Sequence, residues 1–428
     1  MQTNFIMIRQ EIKDLLNIYG SIVKLESYEF THDSLFVYVS TNRNYEVCPV
    51  CGDRTNEIHD YYMRTINHGR FNNYDCFIKY NQRRYRCSCG KRFSVQVDFV
   101  EKFNKISSNS KLSVIKECEA VSSFKNVAYK LNMSSTSVRR LFNKHCDQVR
   151  GVLPRVMSID EFKGNTDGNR FNLSICDPSN RSIIDILPNR FKSDLLEYFG
   201  TFTKLELNNV EVVTMDMYHV YYDVVKQVFP KAAIVIDPFH FVRLVTTASN
   251  NVRIRTMKGL KKSSKGYKLL KSRWRLFLTK ETKISETLRF NKYKHEWESS
   301  SHTLDIIRNI HPELNKAREL LESFYTIVHG SKYPMVHHDL TNWIVQAKLS
   351  NIGELREAAL SIERWLIEIC NSFMINPDTD TRYSSAFIEG TNNFIKVIKR
   401  TSYGFRCFKT FRNKILYNHR NSRRVIKA

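Results

Sequence analysis

Between Arg155 and Asp237 the chain alternates apolar runs of strand length with stretches of helix length, and two of the runs carry an acid. Val156–Phe162, Arg170–Cys176 and Ser182–Leu187 read as three successive strands, with turns expected at Gly164 and Pro178. A helix is predicted over Lys192–Phe199, then a strand ending at Asp216, a helix over Tyr221–Val228 and a fifth strand over Ala232–Asp237. Such a series confines the region to a mixed sheet with helices packed on its faces.

The order is that of a ribonuclease H-like core, in which the first and fourth strands are neighbours. That pairing would bring Asp160, in Val156–Phe162, beside Asp216, in Val210–Asp216. Alternation along the strand turns Glu161 to the other face. Close carboxylates repel each other, and a cation removes that cost. A third acid, Glu389, falls in Ser385–Lys396, which reads as a helix; Glu389, Asn392, Asn393 and Lys396 share one face. Two carboxylates on strands and one on a facing helix can hold a pair of Mg2+ or Mn2+ ions for phosphodiester chemistry. Asp237, in Ile236–His240, competes for the second position, and His240 is either a core histidine or one that orients DNA. Asp177 and Asp185 read as turn or surface residues.

Residues 242–375 show helical patterns without comparable strands, for example Leu355–Phe373, and read as a helical insertion before the core resumes at Glu389. The chain has 428 residues, enough for two to four domains, and 67 Lys and Arg against 43 Asp and Glu, a net charge of +24. Such an excess repels itself unless a polyanion neutralises it, and nucleic acid is the commonest. Charged residues interrupt the first twenty positions, and no run reaches the roughly 18 apolar residues needed to span a bilayer. A cytoplasmic protein with no membrane partner is expected. In that compartment ten cysteines point to metal rather than to a disulfide framework.

Cys48-Pro49-Val50-Cys51-Gly52 has the spacing of a zinc knuckle, and Cys87-Ser88-Cys89-Gly90 offers a second pair. The second pair is separated by one residue rather than two, which leaves His59, His68 or Cys76 as possible replacements for one ligand. Beyond this ribbon, Ser123–Leu131 and a segment from Ser135 to His145 fit the two helices of a helix-turn-helix, with Asn132–Ser134 turning the chain and Ser135 or Thr136 as cap. Thr136, Ser137, Arg139, Arg140 and Lys144 would face a major groove. Two acid-free basic stretches, one over residues 251–280 and one after Glu389 that includes Lys396 and Arg400, interleave with Trp274, Phe277, Tyr403, Phe405, Phe408 and Phe411. They read as grips on a phosphate backbone.

Taken together, the two cysteine pairs with Arg83-Arg84-Tyr85, Ser158–Phe162, Asp216 with Tyr218 and Tyr222, Phe229–Ala232, Ile236–His240 and Ser385–Arg400 resemble a DDE-type transposase of a bacterial insertion sequence, most similar to the ISL-three group. The resemblance covers nearly the whole chain. It implies a multidomain α/β protein: an N-terminal region with a zinc ribbon over 1–100, a helix-turn-helix domain over 101–150, a ribonuclease H-like core beginning over 151–241, a helical insertion over 242–378, and core completion with a basic tail over 379–428. It further implies an Asp160–Asp216–Glu389 active site, structural zinc on Cys48, Cys51, Cys87 and Cys89, cleavage at terminal inverted repeats with joining to target DNA, a homodimer or higher oligomer on that DNA, and a nucleoid-associated bacterial setting. A non-catalytic DNA-binding regulator and a nuclease of the same core without joining activity are the alternative readings.

Overall fold

The computed structural model describes residues 14, 16, 23–42, 45–291 and 296–426; residues 5–18, whose sequence reads as a short amphipathic helix, lie, apart from 14 and 16, outside the described residues. Contacts divide the chain into two units, Met1–Val149 with Phe394–Ala428, and Arg150–Asn393. Among the described residues no helix is long and apolar enough to cross a membrane.

In the first unit, β1 (Val23–Phe30) and β2 (Ser34–Thr41) form an antiparallel pair. Two short strands, β3 (Glu46–Val47) and β4 (Arg54–Thr55), precede a long hairpin of β5 (Ile58–Phe71) and β6 (Tyr74–Arg86), with β7 (Arg92–Ser94) closing against the end of β6. β2 joins β6 in parallel, which gives the order β1-β2-β6-β5. Along β2 every second residue is buried, so Leu35, Val37 and Val39 meet Ile66, Ile78 and Tyr80 in one small core. Three helices follow: α1 (Ser108–Glu117), α2 (Phe124–Lys130) and α3 (Ser135–His145). Ser107, Ser123 and Ser134 cap them, each accepting from the backbone N–H three residues on. The cap of α3 is therefore Ser134, not Ser135 or Thr136. Asn132 turns the chain between α2 and α3 at φ 47°, and Val127, Ala128, Val138, Leu141 and Phe142 fill the space beneath.

The second unit opens with the antiparallel meander β8 (Val156–Thr166), β9 (Asn169–Asp177) and β10 (Ser182–Leu187). Helices α4 (Lys192–Gly200) and α5 (Lys204–Asn208) lead to β11 (Val212–Met215), parallel to β8, and α6 (His219–Val228) leads to β12 (Ala233–Ile236), parallel to β11. The sheet order is β10-β9-β8-β11-β12. Every residue of β11 is buried, as expected of a central parallel strand covered on both faces. Gly164 does not turn the chain. It lies inside β8, and the reversal comes at Asp167–Gly168. The reason for a glycine is proximity: a Cβ there would sit 1.4 Å from Asn172 Oδ1.

Helices then dominate: α7 (Pro238–Gly259), α8 (Lys265–Ser272), α9 (Trp274–Leu278), α10 (Ser300–Arg308), α11 (Pro312–Gly330), α12 (Val336–Leu349), α13 (Gly353–Arg364) and α14 (Leu366–Asn371). A small hairpin of β13 (Arg289–Asn291) and β14 (Glu296–Glu298) interrupts them, a pairing the polar local sequence does not announce. The single helix expected over Leu355–Phe373 breaks at Trp365, whose ring is held between His219 and Tyr222. Phe241 and Val245 of α7, Phe324 of α11 and Trp343 of α12 share one core with Met157, Val213 and Ile236 of the sheet. Burial of each large apolar side chain there contributes about 1.5–3 kcal/mol. After the short pair β15 (Ile375–Asn376) and β16 (Thr381–Arg382) comes α15 (Ala386–Thr401).

The last helix, α16 (Phe408–Ile426), belongs to the first unit and braces its three helices. Lys414 Nζ donates to the Cys118 and Ala120 carbonyls (2.8 and 3.3 Å), and Asn418 Nδ2 donates to Cys118, Glu119 and Ala120. These are the open carbonyls at the end of α1. Tyr417 packs edge-on against Phe142 at 5.5 Å.

Candidate active site and candidate metal centre

The register of β8 and β11 pairs Val212 with Val156 and Thr214 with Ser158, so Asp216, two residues on, comes level with Asp160. Alternation places Ser158, Asp160, Thr214 and Asp216 on one face. Asp160 also pairs with Ser174 of β9, and Ser158 with Cys176. This face is polar although deeply buried: Ser158, Ser174 and Thr214 have 0–1% of their surface exposed. Thr214 Oγ1 donates to Ser158 Oγ at 2.6 Å, which satisfies both.

The first turns of α15 cover that face. Asn392, itself buried, donates its amide to Asp160 Oδ2 at 2.7 Å and accepts from Ser174 Oγ at 3.3 Å. Cys176 Sγ reaches Thr391 Oγ1 at 4.0 Å. Asn392 thus ties the helix that carries Glu389 to the strand that carries Asp160. Asp160 Oδ1 accepts from the Glu161 N–H at 2.7 Å. Burial, reinforced by the charge of Asp216, pushes the Asp160 carboxyl up to about 7.

His240, in the first turn of α7, holds Asp216 through Nε2 to Oδ1 at 2.9 Å. The hydrogen bond it donates to Asp216 raises the imidazole above its ordinary value against the opposing effect of burial. Asp237 caps the same helix, accepting from the Phe239 N–H at 3.1 Å, with Pro238 at the first helical position. Burial raises its carboxyl, and the charges of Asp216 and Glu389 raise it further. Asp216 thus acts electrostatically on both Asp160 and Asp237, and Glu389 acts on Asp237. The ligand oxygens of Asp160, Asp216 and Glu389 do not all lie within 4.8 Å of one another. Glu161 faces away, as alternation requires, and is held by Arg190 and by Tyr221 Oη at 3.0 Å.

Asp160, Asp216 and Asp237 thus bring carboxylate oxygens, donors of the hard type that divalent cations prefer, near the His240 imidazole. Sequence reasoning missed Asn392 as the partner of Asp160 and left His240 open. The available signals were the position of Asn392 one turn after Glu389, and of His240 three residues after an N-cap acid.

The second cluster is in the first unit. Cys48 and Cys51 stand in the loop between β3 and β4, and Cys87 and Cys89 in the turn between β6 and β7. Both loops close on themselves: Gly52 N donates to the Cys48 carbonyl and Gly90 N to the Cys87 carbonyl. Gly52 (φ 79°) and Gly90 (φ 85°) supply the left-handed backbone each closure needs. The four Sγ atoms lie within 4.8 Å of one another, with Cys48–Cys89 at 3.7 Å and Cys51–Cys87 at 3.4 Å. A tetrahedral ion with Zn–S bonds of about 2.3 Å requires sulfurs roughly 3.8 Å apart. The cluster fits zinc. Backbone donation from Cys51 draws the Cys48 thiol down to about 6. At Cys51 the lowering by the Asp53 N–H is outweighed, Cys87 chief among the causes, and the thiol is pushed up to about 12. His68 is buried and bonded to Ser107 and the Leu16 carbonyl, and Cys76 lies in the core beside Ile78.

Elsewhere in that unit Thr136, Arg139, Arg140 and Lys144 are exposed on α3 and Ser137 is half-buried, while Lys396 and Arg400 are exposed on the C-terminal half of α15. The basic stretches are not uniform grips. Arg253 is buried and donates to the Leu270 carbonyl, Arg255 forks onto Glu354, Lys414 is buried, and Phe277 and Phe411 are core residues.

Against known families, residues 157–415 match a family model described as a transposase, and residues 45–89 match one described as the zinc-finger of transposase IS204/IS1001/IS1096/IS1165. The transposase for insertion sequence element IS1001 of Bordetella parapertussis is 22% identical over 405 residues, covering 93% of this chain and 94% of its own.

Proposed function

The chain belongs to the ISL3-type DDE transposase family, and on that premise we propose that it binds the terminal inverted repeats of an insertion sequence and catalyses metal-dependent strand cleavage and transfer. The observation that carries this is the joining of Asp160, level with Asp216 across two parallel strands, to the helix of Glu389 through Asn392 at 2.7 Å. On this reading the second unit is a ribonuclease H-like core with a helical insertion, and Asp160, Asp216 and Glu389 hold Mg2+ or Mn2+. Bound there, the ions supply an activated oxygen nucleophile and neutralise charge at the leaving oxygen.

The protein's own groups prepare the site. Asn392 fixes one carboxylate oxygen of Asp160, His240 fixes one of Asp216, and Asp237 holds the start of α7 in place. In the first unit α2 and α3 act as a helix-turn-helix, with Thr136, Ser137, Arg139, Arg140 and Lys144 toward a major groove, and Lys396 and Arg400 add backbone contacts. Zinc on the four cysteines orders the ribbon.

A Glu389→Gln protein tests the assignment. It is expected to bind duplex carrying the terminal repeat as the wild type does, yet neither nick nor join it in Mn2+. Joining at the wild-type rate would reject Glu389 as part of the site. A wild-type protein that binds but never cuts would favour the regulator, and one that cuts without joining would favour the nuclease.

A further inference from the structure

Phe103 is 87% exposed and has a backbone φ of 62°. A bulky residue in the left-handed region is strained, and strain of this kind persists where something beyond local stability requires the side chain. The turn that carries it is fixed on both sides. Asn104 N bonds the Glu101 carbonyl at 3.1 Å, Asn67 N bonds the Lys105 carbonyl at 2.8 Å, and Arg64 donates to the Asn104 carbonyl. Lys111 anchors Glu101 at 2.6 Å. The fixed backbone thus presents the ring to solvent, with the Lys102 ammonium 5.1 Å from its centre.

Its surroundings point to a partner. Phe103 and Asn104 stand between two grooves of about 560 and 390 Å³. Ser137 and Arg140 line the far wall of the first, and Arg140 and Lys144 that of the second. Ser137, Arg140 and Lys144 recur at helical spacing on one face of α3. Lys102 and Lys105 add positive charge on the side of the turn. A rim of this sign repels a second copy of a chain with net charge +24 and attracts a polyanion.

We infer that Phe103 is a wedge that enters DNA in the minor groove next to the major groove taken by α3, its ring against the bases and the intervening phosphate backbone in the basic grooves. Apolar wedges of this kind unstack a base step and fix the position of the protein along the duplex. The inference rests on the reading of α3 as a DNA-binding helix.

The test uses the full chain and a short duplex recovered by the wild type from a randomised pool, carrying 2-aminopurine at successive positions. Phe103→Gly relieves the left-handed backbone and is expected to melt no lower than the wild type. It should bind roughly tenfold or more weakly, the range of one lost base–aromatic contact. It should also lose a 2-aminopurine enhancement that the wild type gives at a step outside the α3 footprint. Phe103→Trp should retain both affinity and enhancement, and Arg140→Ala should weaken binding while keeping the enhancement. Wild-type affinity and an unchanged fluorescence profile in Phe103→Gly would overturn the wedge, as would a change confined to the self-association of the free protein. Undiminished binding by Arg140→Ala, with Phe103→Gly still impaired, would overturn the role of α3 and with it the placement of the wedge beside that helix, whereas weakened binding by Arg140→Ala with an unimpaired Phe103→Gly would overturn the wedge alone.

Discussion

Replacing Asn392 by alanine removes a single N–H donor from the carboxylate of Asp160. The bond is short, 2.7 Å, and its acceptor lies in a buried site where water is a poor substitute. Hydrogen bonds to charged groups contribute about 1.5–3 kcal/mol, and loss of a group that orients a metal ligand lowers metal affinity by roughly 10- to 100-fold. The affinity of the protein for Mn2+ should fall by that factor, because Asp160 loses its fixed orientation. The assay is a Mn2+ titration followed by electron paramagnetic resonance, with strand cleavage measured across the same concentrations. Cleavage by Asn392→Ala should recover in part at high Mn2+, which separates weakened metal binding from a lost chemical group. Asn393→Ala, on the exposed neighbour, should titrate like the wild type. Circular dichroism must show both variants folded, since Asn392 also accepts from Ser174. Equal Mn2+ affinity in folded Asn392→Ala and wild type would refute the argument that this amide prepares Asp160 for a cation.

Three further outcomes are expected. Gly164→Ala forces a Cβ onto Asn172, which bridges Thr166 and the Pro188 carbonyl; overpacking plus a lost hydrogen bond should destabilise the second unit by about 2–4 kcal/mol in denaturant melts. Cys51→Ala should abolish bound zinc by elemental analysis and open residues 45–57 to proteases, since Cys48 is the one buried residue of that segment, while residues 150–393 remain resistant. Burial lowers the Lys414 ammonium below its ordinary value of 10.5, so between the two values the unfolded chain binds more protons and stability rises with pH. Lys414→Met should lose that rise in alkaline denaturation midpoints, and because Asn418 still caps the same carbonyls it should not be grossly unstable at neutral pH.

What could be read in advance follows from which interactions are local. Five strand-length runs gave the succession of strands in the second sheet, and cysteine spacing located the ribbon, because each signal is carried by neighbours in sequence; which strands pair is not. The bond from Asn392 to Asp160 spans 232 positions, and its one local sign is the place of Asn392 a turn after Glu389, which does not name the partner. Gly164 reads as a turn because glycine usually marks one, whereas here it makes room for an amide from the next strand. Runs of lysine and arginine read as solvated or DNA-facing, yet Arg253 and Lys414 are drawn inside by carbonyls that secondary structure leaves open. That residues 394–426 fold with the N-terminal part is likewise a property of long-range packing.

Ribosomes deliver this polypeptide from its amino end, and the bracing helix Phe408–Ile426 emerges after the unit ending at Asn393. The unit ending at Asn393 has its whole sequence available before then. A message cut short after that residue would release the acidic centre without Lys414, Asn418 and Tyr417, leaving the carbonyls of Cys118 and Glu119 without those donors and one flank of Phe142 bare. Chain order thereby makes the packing of the first unit depend on residues translated only after the second unit is complete in sequence.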